Sequence, residues 1–325
     1  LTGLPDDFVA YGILRSNIGE ISTDLLLKND PVRGFLIEGK IKSSDFNIGK
    51  VAGRDILGEL TMAGALSALV KRNSGGISLT IDSLEVDKIE FNGYPYSNIS
   101  AAGIYNSKEG FDGRIICHDT NLDFLFQGMF SHKEDGSGQY DYYANIPYAN
   151  LHALNLDKRD SVSIAGLSIL SNIETTIHKD IIGRLSIMDA RYENSYGEYE
   201  IGDIELVSYN AEKNYNAILN APFMDMEYKA TAPFSEFMKK GAELLLYDNL
   251  PMAFKNLADK RGESGDYRLD MNIYNSGAIC QVIKPGLYIQ DSTKCTIEIG
   301  KDDMIDFKLR SGRIAVGGNY LKDME

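Results

Sequence analysis

The hydrophobic and polar positions between residues 34 and 70 alternate with a period of two. Ile37 and Ile41 share one parity, whereas the charged residues Glu38 and Lys40 share the other. Successive side chains of a strand point to opposite faces, so this pattern predicts a strand with one apolar face.

A second strand with the same alternation follows after a short loop. The loop contains Asp45, Asn47 and Gly49, residue types that favour turns, and the alternation resumes from Ile56 to Val70. Variants of this unit recur to the end of the chain, although no exact sequence repeat accompanies them. The pattern therefore predicts a mainly β protein, built as a long run of antiparallel strands with a common apolar face.

Turn residues and one change of parity mark the predicted connections. We expect turns at residues 17–19 and 74–76, and a tight hairpin at Asn92-Gly93. The alternation slips by one position at Ser83, which predicts a β-bulge. Further strands are expected at residues 99–105, 113–118, 121–130, 140–148, 161–170, 183–188, 199–209, 224–231, 269–273, 297–299 and 305–309.

One region changes to a helical period. Phe234, Phe237 and Met238 have helical spacing after Pro233, a residue that suits the first turn of a helix. A second short helix is expected around residues 251–259. We therefore expect a β segment at 1–232, a helical insertion at 233–260 and a continuation of the β segment at 261–325, all in one continuous domain.

Composition and charge narrow the class of partner. The chain has 325 residues, 43% of them hydrophobic, and a net charge of −14. This charge argues against nucleic acid and against docking on anionic headgroups, but leaves apolar contact with lipid tails open. No segment is apolar enough to span a bilayer. Because the chain begins at Leu1 without Met, we expect it to be a piece of a longer protein.

The three cysteines form no recognisable catalytic motif. Cys117, Cys280 and Cys295 lack metal-ligand spacing and are interpreted as buried small hydrophobes. A bridge between Cys280 and Cys295 is left open in an oxidising compartment, because both are expected in strands that could be neighbours. No nucleophile motif or phosphate-binding loop is present. The sequence predicts no enzyme, no catalytic residue and no cofactor.

Candidate metal ligands are few and poorly spaced. His118, Asp119 and Asp123 are close in sequence, but the first two point to opposite faces of a strand. Residues 134–135 and 302–303 are acidic pairs without the spacing of a calcium loop, and are interpreted as hairpin tips. The sequence therefore predicts no metal site.

Several segments taken in order resemble a known family. They are GLPDDF at 3–8, GKIKSSDFNIGKV at 39–51, LGELTMAG at 57–64, FNGYPYSNISAAGIY at 91–105, ANLHALNL at 149–156 and RYENSYGEYEIGDI at 191–204. In this order they resemble the TamB branch of the AsmA-like proteins in the form found in Bacteroidetes.

The resemblance implies an elongated antiparallel sheet curled into an apolar-lined groove, a β-taco-like fold. It also implies a periplasmic protein whose parent chain is anchored in the inner membrane and that carries phospholipid acyl chains towards the outer membrane. Contact with the outer-membrane assembly machinery would use regions outside this chain. The residues expected to line the groove are Leu60, Met62, Leu66, Leu122, Phe124, Phe126, Met224, Met226, Tyr228, Ile305 and Phe307.

A period of two does not by itself select a groove. The apolar face could equally be the core of a sandwich or barrel. The alternative function is an extracytoplasmic β-sandwich or solenoid that binds glycan or protein, or that acts as a spacer. Exposed aromatic residues on the polar parity would favour it, and the candidates are Tyr94, Tyr96, Tyr142, Tyr143 and Tyr148. Tyrosines in strands more often contribute to packing, so the packing interpretation of these five is kept beside it.

Overall fold

The computed structural model describes residues 2–4, 6–72, 76–177, 180–211, 214–244 and 262–324. About 70% of the chain is strand, and the strand pairs with a described register are antiparallel. The prediction of a mainly β chain with more than half of its residues in strands is confirmed.

Twenty strands and three short helices occur among the described residues. The strands are β1 (Thr2–Leu4), β2 (Asp7–Ser16), β3 (Gly19–Asp30), β4 (Gly34–Asn47), β5 (Leu57–Lys71), β6 (Ile77–Phe91), β7 (Tyr94–Asn106), β8 (Gly110–Asp119), β9 (Leu122–His132), β10 (Gly138–Asn150), β11 (Ser163–Thr175), β12 (Ile181–Asn194), β13 (Gly197–Ala211), β14 (Asn214–Ala221), β15 (Met224–Ala230), β16 (Tyr267–Ile273), β17 (Leu287–Ile289), β18 (Thr293–Ile299), β19 (Ile305–Val316) and β20 (Asn319–Met324). The helices are α1 (Ile48–Ala52), α2 (Phe234–Ala242) and α3 (Gly277–Ile283).

The chain divides into two compact units, and the first comprises residues 1–133, 139–169 and 193–197. Each of its strands from β1 to β8 pairs with the next strand along the chain. The turn between β6 and β7 is the predicted Asn92-Gly93 hairpin, and both of its residues have positive φ, as a type I′ turn requires. Local turn chemistry therefore defines a simple meander.

The predicted bulge in β6 is confirmed. Ser83 lies opposite Ala65 and Ile81 lies opposite Leu66, so Asp82 is left between two paired positions. The extra residue absorbs the change of parity. As a result, the apolar residues on both sides of the bulge remain on one face of the sheet.

The connection between β4 and β5 differs from the predicted loop. Strand β4 continues to Asn47, whose side chain accepts a hydrogen bond from the Lys50 amide (2.9 Å) and so caps α1. Gly53 ends the helix in the left-handed conformation. A helix of five residues is too short to produce a helical pattern in the sequence.

The second contact unit comprises residues 134–138, 170–192 and 198–325. Its described registers run from β13 through β14, β15, β16 and β18 to β19. The second half of β19 pairs with β17 on one side and β20 on the other. This unit is therefore also built from antiparallel strands.

Helix α2 confirms the helix predicted after Pro233, which is its N-cap residue. The second helix, predicted around 251–259, lies outside the described residues. The expectation of a single helical interruption is wrong, because α1 and α3 also occur. Helix α3 has seven residues, too few for its period to be distinguished in the sequence.

Candidate functional site

Registers place the predicted lining residues of the first unit on one sheet face. Residues directly opposite each other in an antiparallel pair point to the same side. One such row consists of Met62, Val86, Ile99, Cys117 and Phe124. Leu60, Leu66, Leu122 and Phe126 share the face by the same registers. The sequence prediction assigned these residues to separate strands, and strand pairing brings them together.

A second row shows how far this face extends. It crosses the eight strands from β2 to β9 and contains Phe8, Leu27, Ile37, Ala68, Leu79, Tyr105, Phe111 and Phe130. Each of these side chains is apolar or aromatic. We call this side of the sheet, in the first unit, the apolar face.

The opposite side carries many polar and charged residues, together with some exposed apolar ones such as Leu26 and Ile104. Glu38 lies opposite Ser67, which lies opposite Thr80. Lys88 forms an ion pair with Glu59 at 2.7 Å. The sheet is therefore amphipathic, as the alternation predicted.

Several large side chains of the apolar face are exposed. The exposed fractions of Val70, Ile77, Tyr105 and Phe130 are 37%, 45%, 42% and 43%. Of the predicted lining residues here, Leu60, Met62, Leu66, Leu122 and Phe124 are half-buried, and Phe126 is buried against Phe111 and Ala144. Apolar surface left in water costs about 25 cal/mol per Å², so this face favours an apolar contact.

Glycines occupy part of one further row of the apolar face. Gly39, Gly103 and Gly128 lie in the row that contains Leu66, and all three have positive φ. A Cβ atom on Gly103 would lie 2.5 Å from the Asp112 carbonyl oxygen, so only glycine fits there. These three positions of the row therefore have no side chain above the sheet.

In the second unit, the other predicted lining residues again share a face by register. Met226 lies in a row with Leu219, Met271, Cys295 and Leu309. Tyr228 and Phe307 lie in the neighbouring row, Ile305 in the next, and Met224 in a row on the other side of Met226. The registers thus group all five predicted residues of this unit.

Helix α2 covers one end of that face. The Phe237 ring lies 5.8 Å from the Tyr228 ring and 6.0 Å from the Tyr267 ring. Tyr228 is 2% exposed and donates a hydrogen bond to the Ala232 carbonyl (2.8 Å). Burial raises the pKa of Tyr228, and raises that of Tyr267 to about 12. Tyr228 therefore belongs to a packed core.

Away from α2 the predicted residues are less covered. Met224, Met226 and Ile305 are half-buried, and Phe307 is 51% exposed. The apolar side chains of this sheet thus range from fully packed to open.

A buried lysine fixes α2 against the β18–β19 turn. Lys240 is 3% exposed, and its Nζ lies 2.9 Å from Asp303 Oδ2 and 3.5 Å from Glu243 Oε2. Burial alone would lower the pKa of Lys240, but the two carboxylates outweigh it and the pKa is raised. The acidic pair at 302–303 is a hairpin tip, as predicted, and Asp303 serves this ion pair.

The side chains of His118 and Asp119 form hydrogen bonds with neighbouring residues of the sheet. His118 Nδ1 lies 2.9 Å from Asp123 Oδ1 on the exposed side of the sheet. Asp119 is buried on the other side, where Tyr94, Ser97 and Asn121 donate hydrogen bonds to it. Within the described part of the chain, no three His, Cys, Asp or Glu side chains are grouped as metal ligands.

The five candidate tyrosines do not share one surface. Tyr94 and Tyr96 pack together, with ring centroids 4.8 Å apart, on the side of Leu60. Tyr142 packs on Phe126 at 5.3 Å. Tyr143 and Tyr148 are exposed. The predicted set is therefore divided between packing and surface positions.

The three thiols are buried and free. Burial raises the pKa of Cys117 and Cys295, which keeps both protonated at neutral pH. The interpretation as small buried hydrophobes is confirmed. The assumption that Cys280 lies in a strand is wrong, because it belongs to α3.

Comparisons with known proteins identify no relative. The chain matches no family model, no curated protein and no solved structure. The resemblance to TamB-type proteins therefore stays a prediction. Among the described helices, none has the length and apolar character needed to cross a membrane.

Proposed function

We propose that this protein is a non-enzymatic conduit that carries phospholipid acyl chains along its apolar face. The observation that carries the proposal is the apolar row from Phe8 to Phe130, which crosses eight strands and contains exposed aromatic side chains. An acyl chain placed there would cover surface that water otherwise contacts. Each buried methylene group contributes about 0.8 kcal/mol.

The extent of the row suits this role. Seven spacings between strands, at about 4.8 Å each, give roughly 34 Å. The hydrocarbon core of a bilayer is about 30 Å thick, so one acyl chain occupies about half of that distance. The row is therefore longer than one acyl chain, as a path for moving lipid requires.

The resemblance supports the setting of this activity. TamB-like proteins are periplasmic, and their anchor in the inner membrane would lie outside this chain. The net charge of −14 suits apolar contact with lipid tails better than adsorption to anionic headgroups. Outer-membrane assembly machinery would be contacted through regions outside this chain.

Site-specific photocrosslinking tests the proposal with a matched pair of positions. Leu66 lies on the apolar face, and its neighbour Ser67 lies on the charged face opposite Glu38. A photoreactive residue at position 66 should give phospholipid adducts in cells, whereas one at 67 should not. Positions 226 and 227 form the corresponding pair in the second unit.

A charged substitution provides the functional counterpart. Leu66→Asp should abolish lipid adducts from position 62 while thermal unfolding changes little, because an ion on an open face keeps part of its hydration. Ser67→Asp is the control and should leave labelling unchanged.

In the crosslinking experiment, equal labelling from positions 66 and 67 in folded protein, or labelling from neither, would instead support the sandwich or spacer function.

A further inference from the structure

A cluster of cations and aromatic rings lies on β17, β19 and β20. The Arg313 guanidinium carbon lies 5.8 Å from the Tyr288 ring centroid and 5.1 Å from that of Tyr320. Lys322 Nζ lies 5.2 Å from the Tyr320 ring. Arg313 is opposite Lys322, and Ala315 is opposite both tyrosines, so the four side chains share one face. We call them the cationic cluster.

These two cations differ from the paired cations of the neighbouring sheet. Arg268 contacts Glu298 at 2.5 Å and Lys308 contacts Asp306 at 2.7 Å. Within the described ranges, Arg313 and Lys322 form no ion pair with a carboxylate. Contact with the aromatic rings orients the guanidinium and leaves its N–H edge free for an oxyanion.

The position of the cluster on β19 indicates what kind of anion it suits. Strand β19 is continuous from Ile305 to Val316, and Arg313 has the same parity as Phe307 and Leu309. Ser311, between them, is buried and lies 2.6 Å from Thr293 through their hydroxyl oxygens. Phe307 and Leu309 thus lie on the same strand as part of the cationic cluster and are separated from it by the buried Ser311. Apolar residues followed by positive charges match the order of acyl chains and phosphate in a phospholipid.

We propose that Arg313 and Lys322 bind the phosphate of a phospholipid headgroup whose acyl chains lie on the adjacent apolar residues of β19. The inference rests on the proposed lipid-carrying function and assigns its headgroup site. Arg313 donates N–H hydrogen bonds to two phosphate oxygens in bidentate geometry, and Lys322 adds a second positive charge. A free phosphate would use only the cations, whereas a phospholipid also covers the exposed Phe307 ring.

The test compares two fluorescent lipids with identical acyl chains, phosphatidic acid and diacylglycerol, titrated against the purified chain. The wild type should bind phosphatidic acid about tenfold more tightly, a difference that one charged hydrogen-bonded contact can supply. Arg313→Gln combined with Lys322→Gln should remove this preference and leave diacylglycerol binding unchanged. The single variant Arg313→Lys, which keeps the charge without the bidentate geometry, should retain part of the preference for phosphatidic acid.

A matched control removes two positive charges from the neighbouring sheet, on the side opposite to Phe307. Lys294→Gln combined with Lys308→Gln should keep the preference, because both residues have the parity opposite to Phe307. Inorganic phosphate at millimolar concentration should not displace phosphatidic acid; full displacement would indicate a site for free phosphate and overturn the headgroup assignment.

The remaining outcomes separate the two proposals. Equal binding of both lipids by wild type would overturn the headgroup site and leave the lipid-carrying function intact. Loss of preference in both double variants would show a general charge effect and would also overturn the site. Absence of binding by either lipid would overturn the lipid-carrying function itself.

Discussion

Asp119 is an acidic residue on the apolar face of the first unit, where it lies opposite Leu122. It is 9% exposed, and its two carboxylate oxygens accept hydrogen bonds from Tyr94, Ser97 and Asn121. Desolvation raises the pKa of Asp119, but these hydrogen bonds lower it by more, so the net pKa is lowered. The carboxylate is therefore charged at neutral pH, and its hydrogen bonds join β7 to the turn between β8 and β9.

Asp119→Asn should lower the free energy of unfolding by about 1–3 kcal/mol, because the amide NH₂ replaces an acceptor and leaves a buried donor without a partner. Urea denaturation at pH 7 measures the loss. Asp123→Asn is the control, since that residue pairs with His118 at the exposed surface, and should change stability by less than about 0.5 kcal/mol.

The pH dependence of stability follows from the lowered pKa of Asp119. Because the pKa of Asp119 is lower in the folded state, its stabilising contribution is present above the usual value near 3.8 and is lost as the pH falls through the folded pKa. The difference between wild type and Asp119→Asn should therefore shrink below pH 4. A difference that stays constant to pH 2 would contradict this account.

At the scale of single elements, α2 determines whether part of a sheet face is a core or a surface. Phe237 is 5% exposed and packs on Tyr228 and Tyr267, and Lys240 holds the helix to Asp303. The sheet residues beneath α2 are buried, whereas Phe307 on the same parity is exposed. The same strand pattern thus has two different environments.

Phe237→Ala should destabilise the protein by about 3–5 kcal/mol, because it removes a buried ring and leaves a cavity under α2. Met238→Ala changes the neighbouring side chain, which is 57% exposed, and should cost less than about 0.5 kcal/mol. Thermal and urea denaturation of both variants measure the difference. Similar small effects for the two variants would mean that α2 does not stabilise the sheet.

At the scale of the whole molecule, the contacts form two units, whereas one continuous domain was predicted from the sequence. In the first unit each strand from β2 to β9 pairs with its neighbours in sequence. Stability in such an arrangement comes mostly from nearest-neighbour contacts, as it does in repeat proteins. How far unfolding spreads is therefore a measurable property of the chain.

Hydrogen exchange of the Phe237→Ala variant, measured by mass spectrometry, tests whether local unfolding in the second unit spreads to the first. We expect amides of β14, β15 and β16 to exchange faster in the variant and amides of β4 to β7 to keep their protection, because the substitution loosens only the second unit. Met238→Ala should alter neither set. Equal loss of protection in both sets would indicate one cooperative domain, as the sequence suggested.

The sequence by itself indicated most of the strands, the apolar parity of many of them and several of their turns, although it assigned Cys280 to a strand and Tyr96 to the polar side. Met62 and Phe124 could be assigned to the apolar side, and the Asn92-Gly93 turn and the bulge at Ser83 could be located, because side-chain alternation and turn preferences act over a few residues. Helices α1 and α3 were missed because five or seven residues are too few for a helical period.

Only the tertiary structure decided which residues meet. Strand register places Met62 and Phe124 in one row, and the docking of α2 buries Tyr228. The pairing of β17, β19 and β20 brings Arg313 and Lys322 together with two tyrosines. Met62 and Phe124 are far apart in the chain, and so are the strands that contribute the two tyrosines near Arg313. Each turn sets the register of its own hairpin, but these residues meet only when the registers and bulges of all intervening strands combine, which no local preference encodes.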